Sequence, residues 1–128
     1  MKKIQLLSIT IVLILSNFIS NAQTENQAKL QAYYFHNAAR CVTCKTVEAE
    51  AKTNLKELYG ENVTFQSLNL EDKATQELAK KLKVSGQTLL VTNGKKQVNL
   101  TNDGFLYAVT NPNKFKSIIK EKVDPLVN

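Results

Sequence analysis

Apolar positions in the first half of the domain follow two different spacings, and the spacing separates a strand from a helix. A run rich in aromatic residues covers residues 30–35 and ends at polar residues, which predicts a first strand. Apolar residues then recur at intervals of three and four with charged residues between them, which predicts an amphipathic helix that ends at Gly60. Its apolar positions are Cys44, Val47, Ala51, Leu55 and Leu58.

The second half of the chain continues this alternation of strand and helix. Residues 63–70 form a short segment containing valine, threonine and phenylalanine, which predicts a second strand. Asp72 can cap a helix that runs to about residue 83, with Ala74, Leu78 and Leu82 on its buried face.

A hairpin is expected next. Thr88–Thr92 is a short apolar run, and the Asn93-Gly94 pair that follows it is a strong hairpin signal. We therefore expect an antiparallel partner strand at residues 96–100.

The end of the chain contains one ambiguous segment and one clear helix. Gly104 weakens a helix over residues 103–109, so a single apolar turn is expected there. Asn111 and Pro112 suit the cap and the first position of a helix. The buried face of that helix is predicted to contain Phe115, Ile118, Ile119 and Val123. The predicted order is βαβαββα.

The first 22 residues have the pattern of a secretory signal peptide. Lys2 and Lys3 precede an apolar run over residues 4–19, and small or polar residues follow up to Ala22. The apolar run is shorter than the roughly 20 residues that span a bilayer, so an uncleaved anchor is the weaker alternative. We expect a signal peptide at 1–22, one domain at 23–128, and an exported protein, periplasmic or secreted, that leaves the membrane after cleavage.

Charge and composition narrow the class of partner. The full chain has 17 basic and 11 acidic side chains, a net charge of +6 at pH 7. The basic residues are spread along the chain and aromatic residues are not interleaved with them, which argues against a nucleic-acid partner. We expect a monomeric domain that binds no nucleic acid.

The chain has two cysteines, Cys41 and Cys44, and they are separated by two residues. An exported protein meets an oxidising compartment, so the pair can form a disulfide. A bond across so short a gap constrains the unfolded chain little, which favours a chemical role over a structural one. A disulfide without catalytic consequence remains the alternative.

The position of the pair predicts different roles for the two sulfurs. The first helix begins near Cys41, where free backbone N–H groups and the helix dipole stabilise a thiolate. Arg40 and Lys45 add positive charge on either side of the motif. We expect Cys41 to be the nucleophile and Cys44, one turn further in, to be the shielded resolving thiol.

This arrangement resembles the thioredoxin superfamily. The resemblance is clearest in YYFHNAARCVTCKTVE, residues 33–48, and in LNLEDKATQELAKKLKVSGQTLLVTNGKK, residues 68–96. It implies an α/β fold of thioredoxin-like βαβαββα order, with a central mixed four-stranded sheet and helices on both faces. It also implies thiol–disulfide oxidoreductase activity without a cofactor, and a client or redox-partner protein bound through a mixed disulfide.

The chain departs from the family pattern around the dithiol. The family usually has tryptophan before the first cysteine and Gly-Pro between the two, whereas Arg40 precedes here and Val42 and Thr43 intervene. The chain therefore resembles the superfamily without being a thioredoxin proper. Tyr33 and Tyr34 occupy the part of the strand where the family often has a buried acid, so any proton relay must differ.

A second departure affects the substrate groove. The family places a cis-proline before the hairpin strand, whereas residues 84–88 read VSGQT without proline. Gly86 or Gln87 is expected to face the sulfurs instead. By the same resemblance, His36, Val42 and Thr43 are expected to face the substrate.

Two alternatives to an oxidoreductase remain open on the same fold. The first is a module that binds a soft metal, copper or zinc, because thiolates and the imidazole of His36 are suitable ligands. Two sulfurs and one histidine leave a zinc site one ligand short, so we assign no metal ligands. The second is a redox-inert interaction domain.

The residues between the cysteines indicate a direction of electron transfer. Val42 and Thr43 offer no histidine to stabilise the thiolate, which favours a reductant over a strong oxidant.

Overall fold

The aromatic run at the start of the domain forms the centre of a sheet. The computed structural model describes residues 28–128, and the predicted signal peptide at 1–22 lies outside them. Strand β1, Leu30–His36, pairs in parallel with β2, Val63–Asn69, and antiparallel with β3, Thr88–Thr92. Strand β4, Gln97–Asn99, pairs antiparallel with β3, which gives the order β2-β1-β3-β4.

Helices cover both faces of this sheet. Helix α1, Val42–Tyr59, is followed by a 3-10 turn at Gly60–Asn62, and helix α2 spans Lys73–Lys81. Helices α3, Thr101–Tyr107, and α4, Pro112–Val127, follow the hairpin. The α/β class and the mixed four-stranded sheet expected from the sequence are confirmed.

The larger core lies between α1, α4 and one face of the sheet. Alternate residues of β1 point into it, because successive side chains of a strand face opposite sides. Its fully buried side chains include Leu30, Ala32, Tyr34, Val47, Leu55, Leu89, Val91, Phe115, Ile119 and Val123. This core fixes α1, and with it the cysteine pair, against β1.

The smaller core lies under α2 on the other face. Tyr33 and Phe35 of β1 pack there against Ala79, with Leu78 and Leu82 partly buried. The prediction that Ala74 is buried is wrong, since Ala74 is exposed and Thr75 is buried. Thr75, Leu78, Ala79 and Leu82 are spaced by three, one and three residues, which is the spacing that keeps side chains on one helix face.

Residues 101–107 form a regular helix, where only a single apolar turn was expected. A Cβ atom at Gly104 would lie 2.7 Å from Val47 Cγ1 of α1 and 3.4 Å from Cζ of Phe115 of α4. Gly104 therefore permits the close approach of α3 to two other helices and does not end α3. The apolar residues Phe105, Leu106 and Val109 face outward.

The hairpin occurs where the Asn-Gly pair predicts it, with a longer loop. Thr92 pairs with Gln97, so the loop contains residues 93–96. Asn93 Oδ1 accepts hydrogen bonds from the backbone N–H groups of Lys95 and Lys96, and Gly94 has φ of 91°. Within residues 28–128, none of the helices combines the length and apolar character needed to cross a membrane.

Candidate active site

The cysteine pair forms a disulfide at the start of α1. The Cα atoms of Cys41 and Cys44 lie 5.1 Å apart. Cys41 is the N-cap residue, with extended backbone angles, and its sulfur accepts a hydrogen bond of 3.1 Å from the backbone N–H of Cys44. Its carbonyl oxygen accepts the first intrahelical bond, from Lys45 N. A sulfur in this position receives the free N–H groups of the first turn, as a capping oxygen does.

The two sulfurs differ in accessibility. Cys41 is exposed, whereas Cys44 is only 7 % exposed. Val47, three residues after Cys44 on α1, is fully buried. Cys44 is therefore shielded from solvent, whereas an external thiol or thiolate can reach Cys41.

A buried phenol lies beneath the first turn of α1. Tyr34 of β1 is fully buried, and its hydroxyl donates a 3.0 Å hydrogen bond to the carbonyl oxygen of Cys44. The same hydroxyl accepts a 2.7 Å bond from Nε2 of Gln87. Burial raises the pKa of Tyr34, and the Gln87 bond and the charge of Arg40 oppose this rise without reversing it. At neutral pH the phenol is therefore protonated, because the ordinary pKa of tyrosine is already 10.0.

The loop before β3 reaches the site through Gln87. Its side chain contacts the phenol of Tyr34, so one residue separates it from the backbone of Cys44. Gly86 has φ of +125°, a conformation that favours glycine, and its carbonyl accepts a hydrogen bond from Thr88 Oγ1. Residues 28–128 contain no cis peptide bond.

Arg40 has a partner that the sequence analysis did not identify. Its guanidinium forms an ion pair with Glu48 of α1 and lies 5.8 Å from the centre of the Tyr34 ring. Both side chains are mostly shielded, at 23 % exposure for Arg40 and 18 % for Glu48. Nε of Arg40 is buried and has no hydrogen-bond acceptor among residues 28–128. Arg40 thus holds its positive charge in an ion pair with Glu48.

The remaining expected residues lie in the first turn of α1 and at the end of β1. Val42 is 81 % exposed and Thr43 is half-buried in the first turn of α1. His36 lies at the carboxyl end of β1, with Nδ1 2.8 Å from the carbonyl oxygen of Asn37 and its ring 6.2 Å from that of Tyr34. In the part of the chain that the structure describes, no three His, Cys, Asp or Glu side chains are grouped as metal ligands would be.

The sequence indicates the cysteines, Arg40 and Gln87 as site residues, but it does not indicate two of their contacts. Glu48 lies eight residues after Arg40, and Gln87 bonds a phenol 53 residues earlier in the chain. The only available signal for Glu48 was its position on α1, four residues after Cys44, because residues four apart share one helix face. Gln87 was expected to face the sulfurs, and the structure gives it the Tyr34 hydroxyl as its partner.

Comparisons with known proteins give matches of structure only. No protein-family model matches the chain, and no curated protein matches it. A solved structure described as a malarial protein matches with a TM-score of 0.50 and 20% identity, covering 74% of this chain and 98% of that chain. Fasciola hepatica thioredoxin matches with a TM-score of 0.48 and 20% identity, covering 77% of this chain and 85% of its own. Trxlp from Edwardsiella tarda matches with a TM-score of 0.49 and 16% identity, covering 79% and 84%. At these identities the likeness concerns the fold.

Proposed function

We propose that this chain, which has a thioredoxin-like fold and a CxxC disulfide at a helix start, is an exported thiol–disulfide oxidoreductase. The observation that carries the proposal is the pairing of an exposed Cys41 at the N-terminus of α1 with a buried Cys44. This arrangement exposes one sulfur to a partner protein and keeps the other within reach for resolution. Export rests on the signal-peptide pattern of residues 1–22.

In the reducing direction, the reaction proceeds by two exchanges. The Cys41 thiolate attacks one sulfur of a client disulfide, forms a mixed disulfide with it and releases the other client sulfur as a thiolate. Cys44 then loses its proton to water and attacks the Cys41 sulfur, which closes the Cys41–Cys44 disulfide and releases the second client thiolate. Two electrons pass to the client, and its thiolates take up protons. The reverse sequence oxidises a client dithiol.

The residues around the cysteine pair stabilise the thiolate, hold a proton or contact the client. The dipole of α1 and the guanidinium of Arg40 stabilise the Cys41 thiolate. Because burial raises the pKa of Tyr34, its phenol stays protonated and does not accept the Cys44 proton. His36, Val42 and Thr43 form the edge against which the client segment lies, and no cofactor takes part.

A trapping experiment tests the scheme. Cys44→Ser removes the resolving thiol, so mixed disulfides with client proteins should accumulate through Cys41 and disappear on reduction. Cys41→Ser is the matched control and should trap far less, because Cys44 is shielded. If Cys44→Ser traps no partner although Cys41 remains open to alkylation, the proposal fails.

The reduction potential of the pair gives an independent test and the direction of electron flow. The chain has no tryptophan, so the thiols are best counted by alkylation and mass measurement after equilibration in dithiol buffers. A value between about −120 and −270 mV is that of working oxidoreductases, and we expect it near the reducing end. A value below about −300 mV would indicate a structural disulfide and favour an interaction domain.

A further inference from the structure

We propose that Glu48 is a positioning residue that tunes the reactivity of Cys41 by holding the guanidinium of Arg40. This inference rests on the proposed function, since it concerns the thiolate that would attack a client. Glu48 lies outside the CxxC motif, and its proposed effect on Cys41 passes through Arg40.

The ion pair includes the residue that directly precedes the nucleophile. The guanidinium of Arg40 pairs with Glu48 of α1 and lies 5.8 Å from the centre of the Tyr34 ring. The hydroxyl of Tyr34 in turn donates to the carbonyl oxygen of Cys44 in the first turn of α1. Exposures of 23 % and 18 % mean that protein atoms cover most of both side chains. Partly buried charges are screened less by salt and water than exposed ones, so the pair acts more strongly on its surroundings than a surface pair would.

The pairing has a direct consequence for a thiolate at Cys41. A free guanidinium at this position would favour the charged form of the thiol, whereas a guanidinium shared with a carboxylate favours it less. Glu48 therefore moderates the effect of Arg40. Nε–H of Arg40 is buried and finds no acceptor in the part of the chain that the structure describes, so the guanidinium keeps one donor that Glu48 does not use.

The other charged and titratable groups considered near the first turn of α1 form no ion pair with Arg40 within residues 28–128. Lys45 of α1 is exposed, and β1 contributes the protonated phenol of Tyr34 and the imidazole of His36. The loop before β3 contributes the uncharged Gln87, and Asp103 of α3 forms an ion pair with Lys122. Of the four ion pairs within residues 28–128, only Arg40–Glu48 includes a neighbour of a cysteine.

The experiment measures the titration of Cys41 itself. The protein carrying Cys44→Ser is reduced, and its rate of alkylation by iodoacetamide is followed from about pH 5 to 10, a range that brackets the usual thiol pKa. Glu48→Gln should lower the midpoint for Cys41 by about 0.5 to 1 pH unit. Below the midpoint this equals an alkylation rate about three to ten times higher. Glu48→Asp, which keeps the charge, should restore most of the original midpoint.

Two controls separate a specific effect from a general one. Glu50→Gln removes the same charge from the same helix, at a residue that forms no ion pair within residues 28–128, and should shift the midpoint by less than about 0.2 unit. In an Arg40→Gln background, Glu48→Gln should have little further effect, because its route to the sulfur is gone. Far-UV circular dichroism of each variant shows that the fold is intact.

The outcomes are decisive for the proposal and independent of client trapping. It is overturned if Glu48→Gln leaves the midpoint unchanged, if Glu50→Gln shifts it equally, or if the Glu48 effect persists in full without Arg40. A protein that traps no client but shows the expected midpoints would contradict the oxidoreductase function and leave this electrostatic coupling in place. If Glu48→Gln failed to fold, the Arg40→Gln variant alone should still raise the midpoint.

Discussion

The hydroxyl of Tyr34 connects three parts of the chain at a single atom. It donates to the carbonyl of Cys44 in α1, accepts from Gln87 in the loop before β3, and belongs to the central strand. The bond to Cys44 is buried and the bond from Gln87 is partly buried, and a buried polar group without a partner costs about 1 to 3 kcal/mol. Tyr34 therefore holds the cysteine turn against the sheet, in a position where a carboxylate would instead supply a base.

Tyr34→Phe tests this positioning role. The substitution keeps the ring in the core and leaves the amide of Gln87 without its acceptor, so the free energy of unfolding should fall by about 1 to 2 kcal/mol. Urea unfolding followed by far-UV circular dichroism measures the change. Tyr33→Phe is the matched control, since the Tyr33 hydroxyl bonds the exposed Gln31, and its loss should cost less than about 0.5 kcal/mol. Equal costs for the two variants would contradict the role of Tyr34.

Site residues that are close together in the sequence could be predicted, whereas contacts between distant parts of the chain could not. Cys41, Cys44 and Arg40 are adjacent in the sequence, and the spacing of the cysteines at a helix start suffices to identify them. Glu48 and Gln87 join the site through side-chain contacts made only after α1 and β3 pack on β1. Local spacing contains no information on such contacts, so the Arg40–Glu48 ion pair could not be predicted from the sequence.

At the scale of elements, Gly104 decides how closely three helices pack. In an exposed helix a glycine costs about 1 kcal/mol relative to alanine, so local propensity favours alanine at this position. A Cβ added at Gly104 would lie only 2.7 Å from Val47 Cγ1, and a tightly packed core has no space for it. This contact reverses the preference for alanine. The same glycine explains why the sequence predicts a single turn where a helix forms.

Gly104→Ala should lower the free energy of unfolding by about 1 to 3 kcal/mol, the usual cost of an overpacked core. Asn102→Ala, on the exposed face of the same helix, is the control and should change it by less than about 0.5 kcal/mol. Thermal and urea unfolding both report the difference. A Gly104→Ala protein as stable as the original would show that α3 does not pack closely on α1.

A second link between elements depends on pH. Asp124 of α4 accepts hydrogen bonds from Lys120 and from the hydroxyl of Tyr59 at the end of α1. The bond from Lys120 and, to a smaller extent, the bond from Tyr59 lower the pKa of Asp124 below the ordinary value of 3.8. A carboxyl whose pKa is lower in the folded state stabilises the fold above its unfolded pKa, and this stability is lost as the pH falls through the folded pKa.

Asp124→Asn should therefore reduce the free energy of unfolding at pH 7 and have progressively less effect at acid pH. The carboxylate is partly exposed and asparagine can still accept the Tyr59 bond, so we expect a loss of only about 0.5 kcal/mol. Urea unfolding of both proteins from about pH 7 down to about pH 2 measures the difference. Glu121→Gln, at an exposed neighbour, should show no such dependence. If the difference in free energy of unfolding between the two proteins grew as the pH fell, the assigned lowering of the Asp124 pKa would be contradicted.

Element order was more predictable than helix orientation. Each predicted strand and helix of residues 30–127 occurs, because aromatic runs, helical spacing and the Asn93-Gly94 turn are local signals. The buried face of α2 was misjudged by one residue, since Ala74 and Thr75 are both small and the packing of Ala79 on Phe35 decides the rotation. Such a choice depends on the partner face rather than on the helix itself.

At the scale of the whole molecule, the two cores determine whether the disulfide is needed for folding. The helices α1 and α4 bury a continuous core on one face of the sheet, and α2 covers the other face. The disulfide joins residues only three apart, so it constrains the unfolded chain little. The fold should therefore persist when the pair is reduced, as a domain that alternates between two redox states requires.

Reduction should lower the free energy of unfolding by no more than about 2 kcal/mol, the chain-entropy value for so small a ring. Urea unfolding at 25 °C, with and without dithiothreitol, measures this difference, and far-UV circular dichroism shows whether the reduced chain keeps its secondary structure. A variant with both Cys41→Ser and Cys44→Ser is the control and should unfold identically in the two buffers. A reduced protein that lost its structure would make the disulfide a structural requirement, because a catalyst that unfolds in one of its two working states could not complete the cycle of exchange.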